Sequence, residues 1–179
     1  MLTSDNTVFV LIDVQTNLFG AMHERQALLT NLEKLLQGMQ ILKVPVLWLE
    51  QTPDKIGKTV PEIRRLLGSQ EPIVKACFSC CDSEAFMDRL RETKRRQVVL
   101  AGIETHVCVY QTATDLLRAG YVVETVADAV SSRTPQNKQL ALDGIRQHAG
   151  GITTVEMALF ELLRTAEHAS FRDILRLVK

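Results

Sequence analysis

The sequence predicts an α/β fold, a three-layer doubly wound sandwich of the Rossmann-like kind. Short apolar runs alternate with longer amphipathic stretches along the whole 179-residue chain. The apolar runs are rich in valine, leucine and isoleucine. Strands of this composition are typical of parallel sheets in which both faces are buried. Strands that alternate with helices form right-handed βαβ units, which place helices on both faces of the sheet.

Six apolar runs are the strand candidates. In chain order they cover residues 8–12, 44–49, 73–74, 98–101, 121–126 and 152–154. The first, second, fourth and fifth runs contain little polar alternation, so we expect both of their faces to be covered.

Six stretches between these runs have apolar residues at helical spacing. They cover residues 27–42, 83–91, 106–119, 135–149, 155–163 and 171–177. Pro135 begins the fourth stretch, where a helix tolerates proline in its first turn. Gly120 directly follows the third stretch, as expected of a C-terminal cap. With no repeat or flexible linker in the sequence, we expect residues 1–179 to form a single domain.

The composition restricts the classes of partner and location. Lysine plus arginine equals aspartate plus glutamate, at 21 each, so there is no electrostatic case for nucleic acid or an anionic membrane as partner. A net charge of zero also removes a barrier to self-association, so we expect a homo-oligomer, a dimer or larger. The first apolar run is too short for a membrane span or a secretory signal, which favours the cytoplasm and four reduced cysteines.

An acid, a cation and a thiol follow three of the predicted strands. Asp13 and Lys75 come directly after the first and third strands, and Cys108 lies shortly after the fourth, near the start of a helix. Ligands of doubly wound sheets bind beyond the carboxyl ends of the strands. We therefore expect the three side chains to meet at one edge of the sheet.

Such a set would suit nucleophilic catalysis. A free thiol has a pKa of about 8.5, and a helix N-terminus and a lysine ammonium both favour the thiolate. A carboxylate can accept the thiol proton and later deliver it to a leaving group. Taken singly, Asp13 is also typical of a helix cap, Lys75 of a surface charge and Cys108 of a small buried residue. The three in this arrangement predict an active site.

These residues lie in segments that resemble the isochorismatase-like cysteine hydrolases. The segments read FVLIDVQ at residues 9–15, KACFS at residues 75–79 and AGIETHVCV at residues 101–109. The resemblance covers nearly the whole chain and is closest to the isochorismatase-domain-containing branch. That branch has segments similar to EQ at residues 50–51 and SSR at residues 131–133.

The resemblance implies a six-stranded parallel sheet and a Cys–Asp–Lys triad. Cys108 would attack a small amide, ester or related electrophile, with a C–N bond as the favoured target. Asp13 would carry the proton, and Lys75 would orient the set and lower the pKa of the thiol. The N–H groups of Glu104 and Cys108 would form the oxyanion hole, beside a cis peptide between Ile103 and Glu104.

Other residues are expected to surround this centre. We expect Phe19, Gln51 and Thr105 to line the substrate pocket. His106 would lie at the rim or in an interface, and Arg133 would either bind an acidic substrate or form a surface ion pair. Nicotinamidase members of the family bind a metal through histidines after the second strand, but residues 49–54 contain none. The four histidines, at positions 23, 106, 148 and 168, lack metal-ligand spacing. We therefore expect no metal and no other cofactor, and nicotinamide is disfavoured as the substrate.

Two other classes of function remain open from the sequence. The chain would be an assembly or binding protein if it has kept the fold and lost turnover. It would be a thiol redox protein if the cluster of Cys77, Cys80 and Cys81 forms a reversible disulfide. The glycine-poor GKT at residues 57–59 lacks the first glycine of a P-loop, so nucleotide binding there is rejected.

Overall fold

Six parallel strands form one sheet in the computed structural model, which describes residues 1–179. Their order across the sheet is β3-β2-β1-β4-β5-β6. All neighbouring pairs are parallel, which confirms the predicted α/β class. The strands are β1 Thr7–Ile12, β2 Val46–Gln51, β3 Ile73–Lys75, β4 Gln97–Ile103, β5 Val122–Ser131 and β6 Gly151–Thr153.

Nine helices connect or follow the strands. They are α1 Thr16–Phe19, α2 Arg25–Ile41, α3 Pro53–Ile56, α4 Pro61–Arg64, α5 Glu84–Glu92, α6 Tyr110–Arg118, α7 Pro135–Gln147, α8 Val155–Leu163 and α9 Phe171–Val178. A 3-10 turn, Cys80–Asp82, precedes α5, and a π-helical turn, Thr105–Val109, leads directly into α6. None of the helices combines the length and the apolarity that crossing a membrane requires.

Three short helices were not predicted. The helices α1, α3 and α4 have four residues each and lie in the connections that follow β1 and β2. Proline is the first residue of both α3 and α4. Its ring fixes φ near the helical value, and its lack of an N–H costs no hydrogen bond because the first N–H groups of a helix have no partner within it. The segment just before the GKT at residues 57–59 therefore forms a helical turn, Pro53–Ile56.

The two faces of the sheet carry separate cores, which makes the three layers. Side chains of β1 alternate between them: Phe9 and Leu11 pack with α2, α8 and α9, whereas Val8, Val10 and Ile12 pack with α5, α6 and α7. All six residues of β1 are buried, because a central strand of a parallel sheet is covered on both faces.

The strand order reverses beside β1. β1 pairs with β2 on one side and with β4 on the other, so the connections leaving β1 and β4 diverge to opposite sides. This divergence opens a crevice at the carboxyl ends of the two strands, where doubly wound folds bind ligands. The segments that follow β1 and β4 are the segments that contain Asp13 and Cys108.

Gly102 allows β4 to approach β1 closely at this crevice. It lies opposite Ile12 in the sheet and has a φ of +137°, which side-chain-bearing residues rarely adopt. A Cβ atom built on Gly102 would overlap the backbone of Ile12. The register between β4 and β5 also shifts between Leu100 and Gly102. Only glycine can therefore bring the two strand ends this close.

We predict that Gly102→Ala lowers the free energy of unfolding by about 3 kcal/mol or more, because the new methyl group meets main chain that cannot move aside. Gly68→Ala is the matched control, since Gly68 also has a positive φ, +62°, but has open space around it. The control is expected to cost about 1–2 kcal/mol. Urea unfolding of both variants checks this, and equal losses would contradict the proposed overlap.

Candidate active site

The crevice brings together the acid and the cation that the sequence singled out. Asp13 directly follows β1 with a left-handed φ of 53°, a conformation that aspartate tolerates better than most residues. Lys75 is the last residue of β3. Its Nζ donates to Asp13 Oδ2 at 2.7 Å, and both side chains are buried, with exposed fractions of 0% and 3%.

Cys108 joins this pair through Gln51. Cys108 lies in the π-helical turn between β4 and α6. Its thiol donates to Gln51 Oε1 at 3.3 Å, and Lys75 Nζ donates to the same oxygen at 3.4 Å. Gln51 ends β2 and is the sheet partner of Lys75, so the register of β2 and β3 aligns the two side chains. The structure thus brings Asp13, Lys75 and Cys108 together.

Main-chain carbonyls complete the surroundings of the lysine. Lys75 Nζ also donates to the carbonyl oxygens of Cys77 at 3.1 Å and Phe78 at 3.4 Å. A buried charge is tolerated only when it is paired and its hydrogen-bonding capacity is used. The turn after β3 supplies those acceptors and therefore holds the ammonium against Asp13.

Two polar atoms of the site have no partner within the chain. Four buried side-chain oxygen or nitrogen atoms of the protein lack a hydrogen bond, and Asp13 Oδ1 and Thr105 Oγ1 are two of them. Buried polar groups are nearly always hydrogen-bonded, so such exceptions call for an explanation. A carboxylate oxygen without a partner beside a thiol is free to accept the thiol proton.

Burial dominates the ionisation of this centre. It raises the pKa of the Asp13 carboxyl, against the opposing effect of the Lys75 ammonium. For Lys75, burial favours the neutral amine, but the charge and hydrogen bond of the Asp13 carboxylate favour the ammonium, and the pKa is raised. The lysine is therefore protonated at neutral pH, and the carboxylate is a stronger base than an exposed one.

The expectation of a lowered thiol pKa is wrong for the resting site. Burial, followed by the charge of Asp13, raises the pKa of Cys108, and the opposing effect of Lys75 is smaller. The sequence placed a cation and a helix start beside the sulfur, but it gave no measure of how dry the surroundings are. Cys108 is 4% exposed, so its resting form is the neutral thiol.

The cysteine cluster, Cys77, Cys80 and Cys81, lies in the connection between β3 and α5. All four cysteines are free thiols. Cys80 is buried, and its main-chain N–H donates to Thr112 Oγ1 at 2.9 Å. Burial raises the pKa of both Cys80 and Cys81 to about 12. Thiol–disulfide chemistry needs the thiolate, so the raised pKa values disfavour Cys80 and Cys81 as attacking thiols.

The expected cis peptide between Ile103 and Glu104 is absent. No peptide bond in the chain is cis, and Glu104 adopts a left-handed conformation with a φ of 55° and a ψ of 56°. The chain thus turns from β4 into the π-helical turn through one residue's φ and ψ, without a cis bond that would cost about 2.5–4 kcal/mol. The Glu104 N–H donates to no carbonyl of the chain.

The rim residues form a small polar network. His106 Nδ1 lies 3.0 Å from Ser132 Oγ, and its Nε2 lies 3.9 Å from Glu104 Oε2. Arg133 Nε donates to Glu104 Oε1 at 3.3 Å, and the arginine side chain is largely exposed. The two ring nitrogens of His106 therefore lie near Ser132 and Glu104, and Arg133 is paired with an acid.

The three expected pocket residues differ in their placement. Gln51 contacts the thiol and is partly exposed. Thr105 is fully buried, and Phe19 is partly buried against the core formed with α2 and α8. A cavity of ≈ 340 Å³ adjoins Lys75 and is lined by Thr52, Pro53, Asp54, Lys55, Val74, Lys75 and Ala76.

Sequence reasoning assigned no role to Gln15, which is fully buried. Its Nε2 donates to the carbonyl oxygens of Gln51 at 3.0 Å and Gly57 at 2.5 Å. Its Oε1 accepts from the Gln51 N–H at 2.7 Å. The signal in the sequence was its position at the end of the FVLIDVQ segment, two residues after Asp13. No three His, Cys, Asp or Glu side chains lie close enough to bind a metal ion together.

Comparison with known proteins identifies similar chains. The family model described as the isochorismatase domain matches residues 7–157. The chain is 38% identical over 173 residues to isochorismatase domain-containing protein 1 of Salmo salar, covering 97% of this chain and 61% of that protein. It therefore spans less than two thirds of the salmon protein. It is also 38% identical over 181 residues to the secreted isochorismatase effector Isc1 of Phytophthora sojae, covering 97% and 85%.

Solved structures agree with these matches. The MAR1 ribonuclease of Caenorhabditis elegans superimposes with a TM-score of 0.93 at 32% identity, over 99% of this chain and 91% of that one. The YcaC gene product of Escherichia coli, described as an octameric hydrolase of unknown specificity, gives a TM-score of 0.89 at 21% identity, over 98% and 94%. The match to the E. coli protein is evidence for a shared fold alone.

We predict that Lys75→Met lowers the free energy of unfolding at pH 7 by about 3–5 kcal/mol, because it leaves the Asp13 charge buried without a partner. The loss should shrink as the pH falls from 7 towards 4. Burial raises the pKa of Asp13 above its unfolded value of about 3.9, so the folded variant binds a proton more readily than the unfolded chain.

Urea unfolding between pH 4 and pH 7 measures this dependence. The double variant Asp13→Asn, Lys75→Met is the control, since it has no buried charge and should recover part of the stability at pH 7. A loss for Lys75→Met that is the same at every pH would show that the ammonium does not compensate Asp13.

Proposed function

The chain belongs to the isochorismatase family, and from that premise we propose that it is a cysteine hydrolase. Its substrate would be a small amide, ester or related electrophile, with a C–N bond as the favoured target. The observation that carries the proposal is the arrangement around Asp13. Lys75 holds one carboxylate oxygen, and the other is buried and unpartnered in the crevice where the Cys108 thiol lies.

The first half of the proposed reaction forms a thioester. The sulfur of Cys108 attacks the substrate carbonyl carbon while its proton passes to Asp13 Oδ1. The tetrahedral intermediate collapses, the C–N or C–O bond breaks, and Asp13 returns the proton to the leaving amine or alcohol. Lys75 keeps its contact with Oδ2 throughout and so fixes the carboxylate in position.

The second half releases the acid. A water molecule takes the place of the leaving group, and Asp13 accepts its proton as the oxygen attacks the thioester carbon. The C–S bond then breaks, and the thiol regains its proton from Asp13. One water is consumed, and the protein returns to its starting state.

Main-chain N–H groups are the proposed oxyanion donors. The tetrahedral intermediate develops a negative charge on the former carbonyl oxygen, and positioned N–H groups stabilise it. Glu104 and Cys108 border the sharp turn after β4, and the unused Glu104 N–H supports its assignment. The assignment does not depend on the cis peptide that was expected beside it.

The neutral resting thiol fits this mechanism. Because burial raises the pKa of Cys108, little thiolate is present to react with an oxidant or with an electrophile other than the substrate. Because burial also raises the pKa of Asp13, the carboxylate is a better acceptor for the thiol proton. We propose that the thiol proton moves during attack on a bound substrate and is not lost beforehand.

The pocket assigned to the substrate is small. We place Gln51 beside the reacting sulfur and Thr105 at the base of the turn, with its unpartnered hydroxyl facing a buried site. Phe19 is partly buried against the core formed with α2 and α8, and we propose that its exposed part supplies an apolar wall of the pocket. The cavity of ≈ 340 Å³ beside Lys75 is the proposed entrance and is of a size for small molecules.

Self-association in the cytoplasm is part of the proposal. Val74 and Phe78 expose about half of their surfaces beside the proposed entrance, at 56% and 52%. A second copy of the chain would cover such apolar side chains. Four free thiols without a disulfide support a reducing compartment.

The name of one similar structure favours a second candidate, cleavage of RNA. The C. elegans protein is called a ribonuclease. In this chain, however, Lys75, the cation that contacts Asp13 in the crevice, is committed to that carboxylate and is not free for a phosphate. We therefore rank carbonyl hydrolysis first. An RNA oligonucleotide belongs in the substrate panel, with Cys108→Ala as the control for cleavage by the thiol.

We predict that Asp13→Asn has opposite effects on two reactions of Cys108. Turnover of small amides and esters should fall at least about 100-fold, because the proton acceptor is lost. Iodoacetamide alkylation of Cys108 at pH 8 should become faster, because the Asp13 charge raises the pKa of the thiol and is removed. Mass spectrometry of the Cys108 peptide follows the alkylation.

The variant Cys108→Ala is the control for both measurements and should lack both reactions while it remains folded. In the wild type, alkylation should keep rising above pH 8.5, the ordinary thiol range. If Asp13→Asn slowed alkylation and turnover together, Asp13 would be supporting the fold and not accepting the proton. Normal turnover by Cys108→Ala would exclude Cys108 as the nucleophile.

A further inference from the structure

The carboxamide of Gln51 has a fixed orientation. Its oxygen accepts hydrogen bonds from Lys75 Nζ and from the Cys108 thiol. An ammonium has donors only, so the atom that faces it must be the oxygen and cannot be the nitrogen. The Nε2 group is therefore directed away from Lys75 by the chemistry of its neighbours.

The nitrogen of this amide is unused. Gln51 Nε2 makes no hydrogen bond within the chain, although the oxygen of the same group makes two. This nitrogen is not among the four buried polar atoms that lack a partner, and Gln51 is partly exposed. The side chain whose oxygen contacts the sulfur therefore has two N–H donors open to a ligand.

Gln15 fixes the main chain beneath this donor. Its amide oxygen accepts from the Gln51 N–H at 2.7 Å, and its amide nitrogen donates to the Gln51 carbonyl at 3.0 Å. The same nitrogen reaches the Gly57 carbonyl at 2.5 Å, which ties the segment after α3 to the same point. Gln15 is fully buried, so the main-chain N–H and C=O of Gln51 are both held by a side chain that cannot rotate freely.

We propose that Gln51 is a specificity-determining residue whose Nε2 donates to an acceptor atom on the carbon next to the electrophilic carbon of the substrate. The favoured substrates are then small amides or esters of α-hydroxy, α-alkoxy or α-keto acids. The inference rests on the proposed role of Cys108 as nucleophile. Because the donor is held in place before binding, little conformational freedom is lost when it bonds to the substrate.

A purely structural role for Gln51 would be limited to its oxygen, which supports Lys75 and the thiol. Variants with side chains of similar size can distinguish this structural role of the oxygen from the proposed donor role of the nitrogen. Gln51→Glu keeps an acceptor for Lys75 and Cys108 but removes the donor, and Gln51→Met removes both. A test must therefore compare ligands with and without an acceptor, and it must be insensitive to changes in the pKa of the thiol.

Two alkylating reagents make that comparison. Iodoacetamide has a carbonyl oxygen on the carbon next to its electrophilic carbon, and allyl bromide has no acceptor. The rate at Cys108 is measured for each reagent by mass spectrometry and divided by the rate of the same reagent with N-acetylcysteine. The ratio of the two normalised rates cancels the thiolate fraction, because both reagents react with the same sulfur.

We predict that this ratio falls roughly two- to tenfold in both Gln51→Glu and Gln51→Met, the effect of losing one hydrogen bond. Gln147→Glu, an exposed change of the same kind at the far end of α7, should leave the ratio at the wild-type value. Thermal unfolding identifies any variant that does not fold, and Gln51→Glu is isosteric with the wild type.

Each outcome decides between the claims. A ratio that stays the same in folded Gln51 variants would overturn the donor role while leaving Cys108 as the nucleophile. A ratio that falls only in Gln51→Met would assign the effect to the lost oxygen, which also overturns it. If Cys108 of the wild type reacts with neither reagent, the proposed nucleophile fails, and the inference about Gln51 fails with it.

Discussion

The ion pair between Lys75 and Asp13 is the interaction on which the rest of the site depends. It joins the ends of β1 and β3 across the intervening β2, at a place from which water is excluded. Removing two charges from water costs more than a simple contact returns, unless hydrogen bonds use the remaining capacity. The carbonyls of Cys77 and Phe78 and the amide of Gln51 supply that capacity on the lysine side.

The acid side of the same pair is left incomplete, and the chemistry follows from that asymmetry. Lys75 has several acceptors, whereas Asp13 Oδ1 has no partner. The dry surroundings raise the pKa of both the carboxyl and the thiol, so the carboxylate is a better proton acceptor than an exposed one while the resting thiol stays protonated. In the proposed mechanism, the sulfur stays unreactive until a substrate excludes the remaining solvent and accepts the attack.

The sequence was sufficient for those parts of the site that strand topology decides. Parallel strands bring their carboxyl ends to one edge, so Asp13, Lys75 and Cys108 could be grouped from their positions alone. Gln15 could not be assigned, because its partners lie 36 and 42 residues away, on β2 and in the segment after α3. The direction of the thiol pKa and the left-handed turn at Glu104 were missed for a related reason: packing and backbone geometry decide them, and residue spacing does not reveal either.

The position of Lys75 on β3 has a consequence for the motions of the protein. β3 has three residues, lies at the margin of the sheet and is paired with β2 alone. Marginal strands with few partners open more often than the rest of a native structure. Under the proposed mechanism, each such opening withdraws the ammonium and leaves the Asp13 charge without its partner, so the stability of this three-residue strand limits the fraction of molecules that are ready to react.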